Sequence, residues 1–200
     1  MDKYTFTTAQ KIYLPFKRLI GIFGSIVGII VCFAFLWWWV FIINCFVTKG
    51  HPLFARHRIG KNGKPFRMLK FRSMKNDANP HMSSRDEHAL DNLTCFGKFL
   101  RATSIDETPQ LFNILVGDMA FIGPRPLIDA SGDIITINKR KENGSIILRP
   151  GISGYAQIHG RGVVDPITKG EMDGYYFKNF NFFIDFKIFF YTIFSLFKRN

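Results

Sequence analysis

Two hundred residues suit one modest domain, yet 47% hydrophobic content and 23 phenylalanines exceed what such a domain buries, which argues against a plain water-soluble globule. The net charge of +12 points to a polyanionic surface; with no recognition-helix or base-stacking motif and an apolar segment beside the basic residues, that surface is a membrane and not nucleic acid. Cys32 and Cys45 lie inside the apolar segment and Cys95 has no partner near it in sequence, so no disulfide is expected.

Leu19 to Val47 is a run of 29 residues without a charge, including Trp37-Trp38-Trp39, long enough to cross a bilayer. It is too long for a secretory signal, and no small-residue cleavage site follows it. Lys11, Lys17 and Arg18 precede it. His51 to Lys75 follows with eight Lys/Arg and no acid, a charge pattern that suits anionic lipid headgroups. With basic residues at both ends the positive-inside rule selects no orientation, unless both ends are cytoplasmic and the helix is re-entrant. A plain transmembrane helix is the alternative. Further on, Phe54 to Ile59 and Pro65 to Phe71 flank Gly60-Lys61-Asn62-Gly63-Lys64, and Asn-Gly between apolar runs predicts a short β-hairpin. Asn76 to Thr94 reads as a mobile loop positioned to cover a site.

Arg101 to Pro126, RATSIDETPQLFNILVGDMAFIGPRP, is the stretch where chemistry concentrates. Ser104-Ile105-Asp106-Glu107 has the form of a capping box, opening a helix whose buried face is Leu111, Phe112, Ile114 and Leu115. A cap needs only Glu107. A second acid, Asp106, at a helix start that attracts phosphate, with Arg101 one turn before and Gly123-Pro124-Arg125-Pro126 after, suggests phosphate chemistry. Adjacent carboxylates on a helix diverge by about a hundred degrees, unlike the facing pair of a glycoside hydrolase. Arg149-Pro150-Gly151 repeats the theme of a basic residue on a Pro/Gly turn. No histidine or cysteine spacing suggests zinc; a hard ion held by a carboxylate and substrate phosphates fits better. From Asn181 onward, Asn181, Asp185, Thr192, Ser195 and Arg199 form one polar stripe on a helix otherwise rich in Phe, Ile, Leu and Tyr. Such a helix lies in the headgroup plane or is buried in the core.

Leu69 to Met74 (LKFRSM), Gly97 to Pro126, Arg149 to Arg161 (RPGISGYAQIHGR) and Tyr175 to Ile188 (YYFKNFNFFIDFKI), after a basic-flanked apolar segment, resemble the bacterial sugar transferase family, the monotopic phosphoglycosyl transferases. The resemblance runs from about Lys17 to the C-terminus. It implies an enzyme of the bacterial inner membrane, its catalytic domain on the cytoplasmic face, that moves a sugar-1-phosphate from a UDP-sugar to polyprenyl (undecaprenyl) phosphate, releases UMP and starts a surface glycan. In it Asp106 is the nucleophile, forming an aspartyl-phosphosugar intermediate with help from Mg2+, and Glu107 stands beside it. Lys70, Arg101, Asp118, Arg125, Arg149 and Arg161 fall in matching motifs and are expected at phosphate or nucleotide, with Asp106 at the metal. A non-catalytic membrane scaffold for glycan assembly is the alternative. The expected fold is α+β: residues 1–50 a membrane-anchoring helix, residues 51–200 a small, mainly helical catalytic domain with a hairpin and an interfacial helix over 181–199. Three departures stand out. Lys17-Arg18-Leu19-Ile20-Gly21 lacks the family's aspartate, Val31 to Val40 lacks its Ser-Pro break, and His159 replaces its usual Asn.

Overall fold

A 41-residue helix, Thr8–Thr48, is the spine of the computed structural model, which describes residues 4–48, 50–74, 92–128, 131–159 and 164–197. It is the one helix among the described residues long and apolar enough to cross a membrane. Thr7 starts it with a reciprocal box: its hydroxyl accepts from the Gln10 N–H, and the Gln10 side chain accepts from the Thr7 N–H. The α-helical ladder of α1 (Thr8–Cys32) then widens into a π turn, Phe33–Trp37, before α2 (Trp38–Thr48) resumes. That turn falls inside the proline-free run where the family's break is missing.

β1 (Leu53–Ile59) and β2 (Pro65–Phe71) form the expected antiparallel hairpin, Phe54 opposite Lys70 and Arg58 opposite Phe66. Asn62 and Gly63 take the positive φ angles, 59° and 74°, that the turn demands. Alternation along the strands sets Arg56, Arg58 and Lys70 on one face. The loop expected over Asn76 to Thr94 falls largely outside the described residues, as do Arg161 and Arg199.

The central stretch departs from its expected form. α3 (Cys95–Ala102) ends before Ser104, which sits in the left-handed region at φ 59° and makes no side-chain cap. Ile105–Glu107 is a single 3-10 turn, and α4 begins only at Gln110, running to Val116. Pro109 is the reason. It has no N–H to offer the Ile105 carbonyl, which instead takes the Thr108 N–H at 3.1 Å and the Thr108 hydroxyl at 2.9 Å. On α4, Leu111 and Ile114 are buried as expected, but Phe112 turns outward onto the Trp37 ring, centroids 5.4 Å apart.

β3 (Ala120–Ile122) pairs in parallel with β4 (Gly151–Ser153), and α5 (Ser131–Asn143) lies between them in sequence. The two Gly/Pro turns meet here: a Cβ on Gly151 would stand 2.2 Å from the Gly123 nitrogen, so only glycine permits the approach. α6 (Tyr155–His159) precedes α7 (Pro166–Asn179), which is capped by Asp165 and packs on α5 across a buried Arg140–Asp173 pair at 2.6 Å. α8 (Phe182–Phe197) closes the chain.

Three hydrophobic clusters hold the elements together, and the first helix enters each. Tyr13 and Leu14 pack on the Tyr176, Phe177 and Phe180 cluster, Ile29 and Cys32 on that of Leu111, Ile114 and Met119, and Val40 joins Phe71 and Leu100. α8 is amphipathic with its polar stripe inward. Asp185 is buried against Tyr13, Lys17 and Tyr176, and Thr192 pairs with the Ser153 hydroxyl, while Phe183, Phe186 and Phe194 face outward. The architecture is α+β, mostly helical, with a long apolar N-terminal helix and a short hairpin.

Candidate active site

The 3-10 turn between α3 and α4 presents Asp106 and Glu107 in opposite circumstances. Glu107 is held: Lys70 Nζ donates to its Oε1 at 2.7 Å, and an Arg125 guanidinium nitrogen lies 3.6 Å from the same oxygen. Asp106 is 6% exposed and makes no hydrogen bond or ion pair among the described residues. Burial raises its carboxyl from the ordinary 3.8 to about 6; Lys70 opposes the rise, Glu107 adds to it, and Arg101 and Arg125 oppose it. At neutral pH it is largely ionised, and it has no partner among the described residues.

Each cation is placed by a separate device. Lys70 comes from β2, which α4 grips through buried Asn113: its Oδ1 accepts the Leu69 N–H at 3.0 Å, and its Nδ2 donates to the Arg67 carbonyl at 2.8 Å and to Asp118 at 3.4 Å. Arg101, in the last turn of α3, donates from Nε to the Ser73 hydroxyl at 3.0 Å. The Arg125 backbone is pinned on both sides, since its carbonyl accepts from buried Arg140 at 3.0 Å and the Leu127 carbonyl accepts the Ile59 N–H at 2.9 Å.

The structure thus brings Lys70, Arg101 and Arg125 around the dyad, and it adds Arg58. On the Lys70 face of the hairpin, Arg58 has a buried Nε without a hydrogen-bond partner and is pushed down to about 10, by burial first and then by Arg56 and Arg125, with Asp133 and Glu107 opposing. Sequence reading placed Arg58 only in a general basic cluster; the two-residue alternation across the hairpin register is the signal that aligns it with Lys70. Asn113, a polar residue in the apolar run Leu111 to Val116, was also missed. Asp118 stands behind β2 on Asn113. Arg149 is elsewhere, donating from Nε to the Gly117 carbonyl at 2.8 Å at the C-terminal end of α4. Arg161 lies outside the described residues.

No group of three or more metal-binding side chains exists among the described residues. The site fits a hard cation of a different kind: Asp106 offers one buried carboxylate without a protein partner, and Mg2+ commonly takes one or two carboxylates with substrate phosphates completing its shell. As a whole the site sets a largely buried carboxylate beside guanidinium and ammonium groups, an arrangement whose charge suits a phosphorylated, polyanionic ligand.

Several known proteins are similar to the chain. An uncharacterized sugar transferase of Bacillus subtilis, EpsL, is 38% identical over 145 residues, 72% of this chain and 69% of that one. The UDP-N-acetylgalactosamine-undecaprenyl-phosphate N-acetylgalactosaminephosphotransferase of Aeromonas hydrophila is 39% identical over 153 residues, 73% of this chain and 35% of that protein. The undecaprenyl-phosphate galactose phosphotransferase of Salmonella typhimurium is 32% identical over 203 residues, 92% of this chain and 41% of that protein, so the chain spans under half the length of these last two. The bacterial sugar transferase family profile matches residues 12–199, taking in the first helix, the dyad turn and both Gly/Pro turns, and the chain belongs to that family.

Proposed function

We propose that the chain transfers a sugar-1-phosphate from a UDP-sugar to undecaprenyl phosphate through an aspartyl-phosphosugar intermediate, initiating a surface glycan at the cytoplasmic face of the bacterial inner membrane. The observation that carries this reading is Asp106, a buried carboxylate without a partner beside one clamped by Lys70 and Arg125. The names of the relatives supply the substrates.

The electron bookkeeping follows from the products. An Asp106 oxygen forms a bond to the sugar-bearing phosphorus, and the bond from that phosphorus to the oxygen bridging to the other phosphate breaks, so UMP leaves with that oxygen. An oxygen of undecaprenyl phosphate then attacks the same phosphorus and frees the carboxylate. Both steps set anion against anion. Lys70, Arg101, Arg125 and Arg58 supply the compensating charge, and donors already held in place act with little reorganisation. Bound at Asp106, Mg2+ would add Lewis-acid stabilisation of the phosphate oxygens. Glu107, held by its two cations, keeps Lys70 and Arg125 at the reacting phosphate.

Incubation with a panel of labelled UDP-sugars and no acceptor, with and without chelator, followed by peptide mass spectrometry, tests the reading. A sugar-phosphate adduct on Asp106, absent in Asp106→Asn and lost on chelation, is expected. An adduct on Glu107, or normal UMP release by Asp106→Asn with acceptor present, rejects it.

A further inference from the structure

A second basic concavity lies away from the dyad. Between the N-terminal half of α1, the end of α4 and the β3–β4 pair is a cavity of about 370 Å³ lined by Lys11, Lys17, Arg18, Lys61 and Arg149. Lys17 is neutralised by Asp185 at 2.6 Å. The other four meet no acid among the described residues. Arg18 donates to the Ile114 carbonyl and, at 2.7 Å, to that of Leu115; Arg149 donates to the Gly117 carbonyl; and the side chains of Lys11 and Lys61 make no hydrogen bond or ion pair. Closing the end of α4 accounts for the two arginines. The two lysines are exposed at the rim and leave their charge uncompensated by protein among the described residues.

The crowding is real: Arg18 and Arg149 share Gly117, and after burial the like charge of Arg18 lowers the Arg149 pKa. A bound anion relieves such repulsion. The floor is apolar, with Leu14, Ile114, Met119 and Phe180, and the adjoining surface exposes Ile12, Phe16 and Val116. Cations over an apolar floor, beside an apolar outer face, match a phosphate joined to hydrocarbon. The occupant is not the phosphate undergoing transfer. Gly117, where Arg18 and Arg149 meet, and Thr108 beside the dyad lie at opposite ends of α4, about 14 Å apart along the helix.

We propose that this cavity seats the headgroup of an anionic glycerophospholipid, its acyl chains running over the exposed apolar side of α1, and so fixes how the protein sits on the bilayer. This goes beyond the transferase reading and stands without it.

Binding of full-length protein to phosphatidylcholine vesicles, pure or doped with phosphatidylglycerol, tests the site. Wild type binds the doped vesicles more tightly. The double variant Lys11→Gln/Lys61→Gln loses about thirtyfold of that preference, as expected for two charges beside an anionic surface. A control removing two exposed lysines outside the cavity, Lys141→Gln/Lys178→Gln, retains it. UMP release by the cavity variant, assayed in detergent with a short acceptor, is unchanged, which separates this site from the reaction. Equal loss in the control makes the attraction a general surface effect and overturns the proposal. So does an unaltered preference in the cavity variant, abolition by inorganic phosphate, or loss of UMP release with the lysines.

Discussion

Asp106 is where the fold gives up stability for chemistry. Its folded pKa, about 6, exceeds the ordinary 3.8 that it regains on unfolding, so the folded state binds this proton more tightly. The carboxyl costs nothing below about pH 4, its cost grows between about 4 and 6, and at neutral pH it is on the order of 3 kcal/mol. Asp106→Asn removes that charge, so the variant's thermal midpoint at pH 7 should rise by several degrees while turnover disappears. The same titration shapes the rate. With Asp106 as the proposed nucleophile the attacking form is the anion, and kcat/KM should climb with pH through about 6 and level off near neutrality. A rate independent of pH between 5 and 7, or a variant less stable than wild type at neutral pH, contradicts this assignment of the buried carboxyl.

At the scale of elements, the dyad turn is tied to the first helix through its π turn. Trp37 is the last residue of that turn, and its indole N–H donates to the Thr108 hydroxyl, which in turn donates to Ile105 on the far side of Asp106. Widened helical turns aim a side chain that a regular helix would misplace. Trp37→Phe keeps an aromatic ring against Phe71 and Phe112 while deleting the donor and part of the side chain's bulk. One neutral hydrogen bond is worth about 1 kcal/mol of stability, so the thermal midpoint should fall by about 2–4 °C, and kcat should fall with it as Thr108 loses its anchor. An unchanged kcat would detach the helix from the site. None of this coupling was legible in the sequence, because the Trp37 partner lies 71 residues away. The hairpin was legible, since Asn62-Gly63 fixes its own turn locally, and the dyad was legible from motif. The Ser104 capping box misled because the pattern weighs Ser and Glu but not Pro109, which denies the ladder the next donor. The inward polar stripe of α8 was visible as a stripe, yet its direction was not: Lys17 and Tyr176 decide it from other elements.

For the whole molecule, the decisive feature is that the catalytic body touches the first helix from end to end. Gln10 donates to the Phe177 carbonyl at 2.8 Å, Gly21 and Gly28 sit against Ile114 and Leu111, Val40 packs with Phe71, and Asn44 donates to the Arg72 carbonyl at 2.8 Å. A spanning helix needs about 20 residues surrounded by lipid. No such interval separates these contacts. Carrying Thr8–Thr48 across the bilayer would draw Arg72, Lys70 and the dyad into hydrocarbon, where each unmatched charge costs several kcal/mol. The outer face of the helix, with Phe23, Phe35 and Trp39, and the outward phenylalanines of α8 expose an apolar surface that suits one leaflet instead. We propose that both ends of the helix lie on the side of the catalytic body, which the proposed function makes cytoplasmic. Single cysteines introduced near Thr7 and near Asn62, after replacement of Cys32, Cys45 and Cys95, should react with a membrane-impermeant thiol reagent only when the cytoplasmic face is open. Labelling near Thr7 from the periplasm alone would establish a spanning helix, and the contacts along its length would then have to break in the membrane.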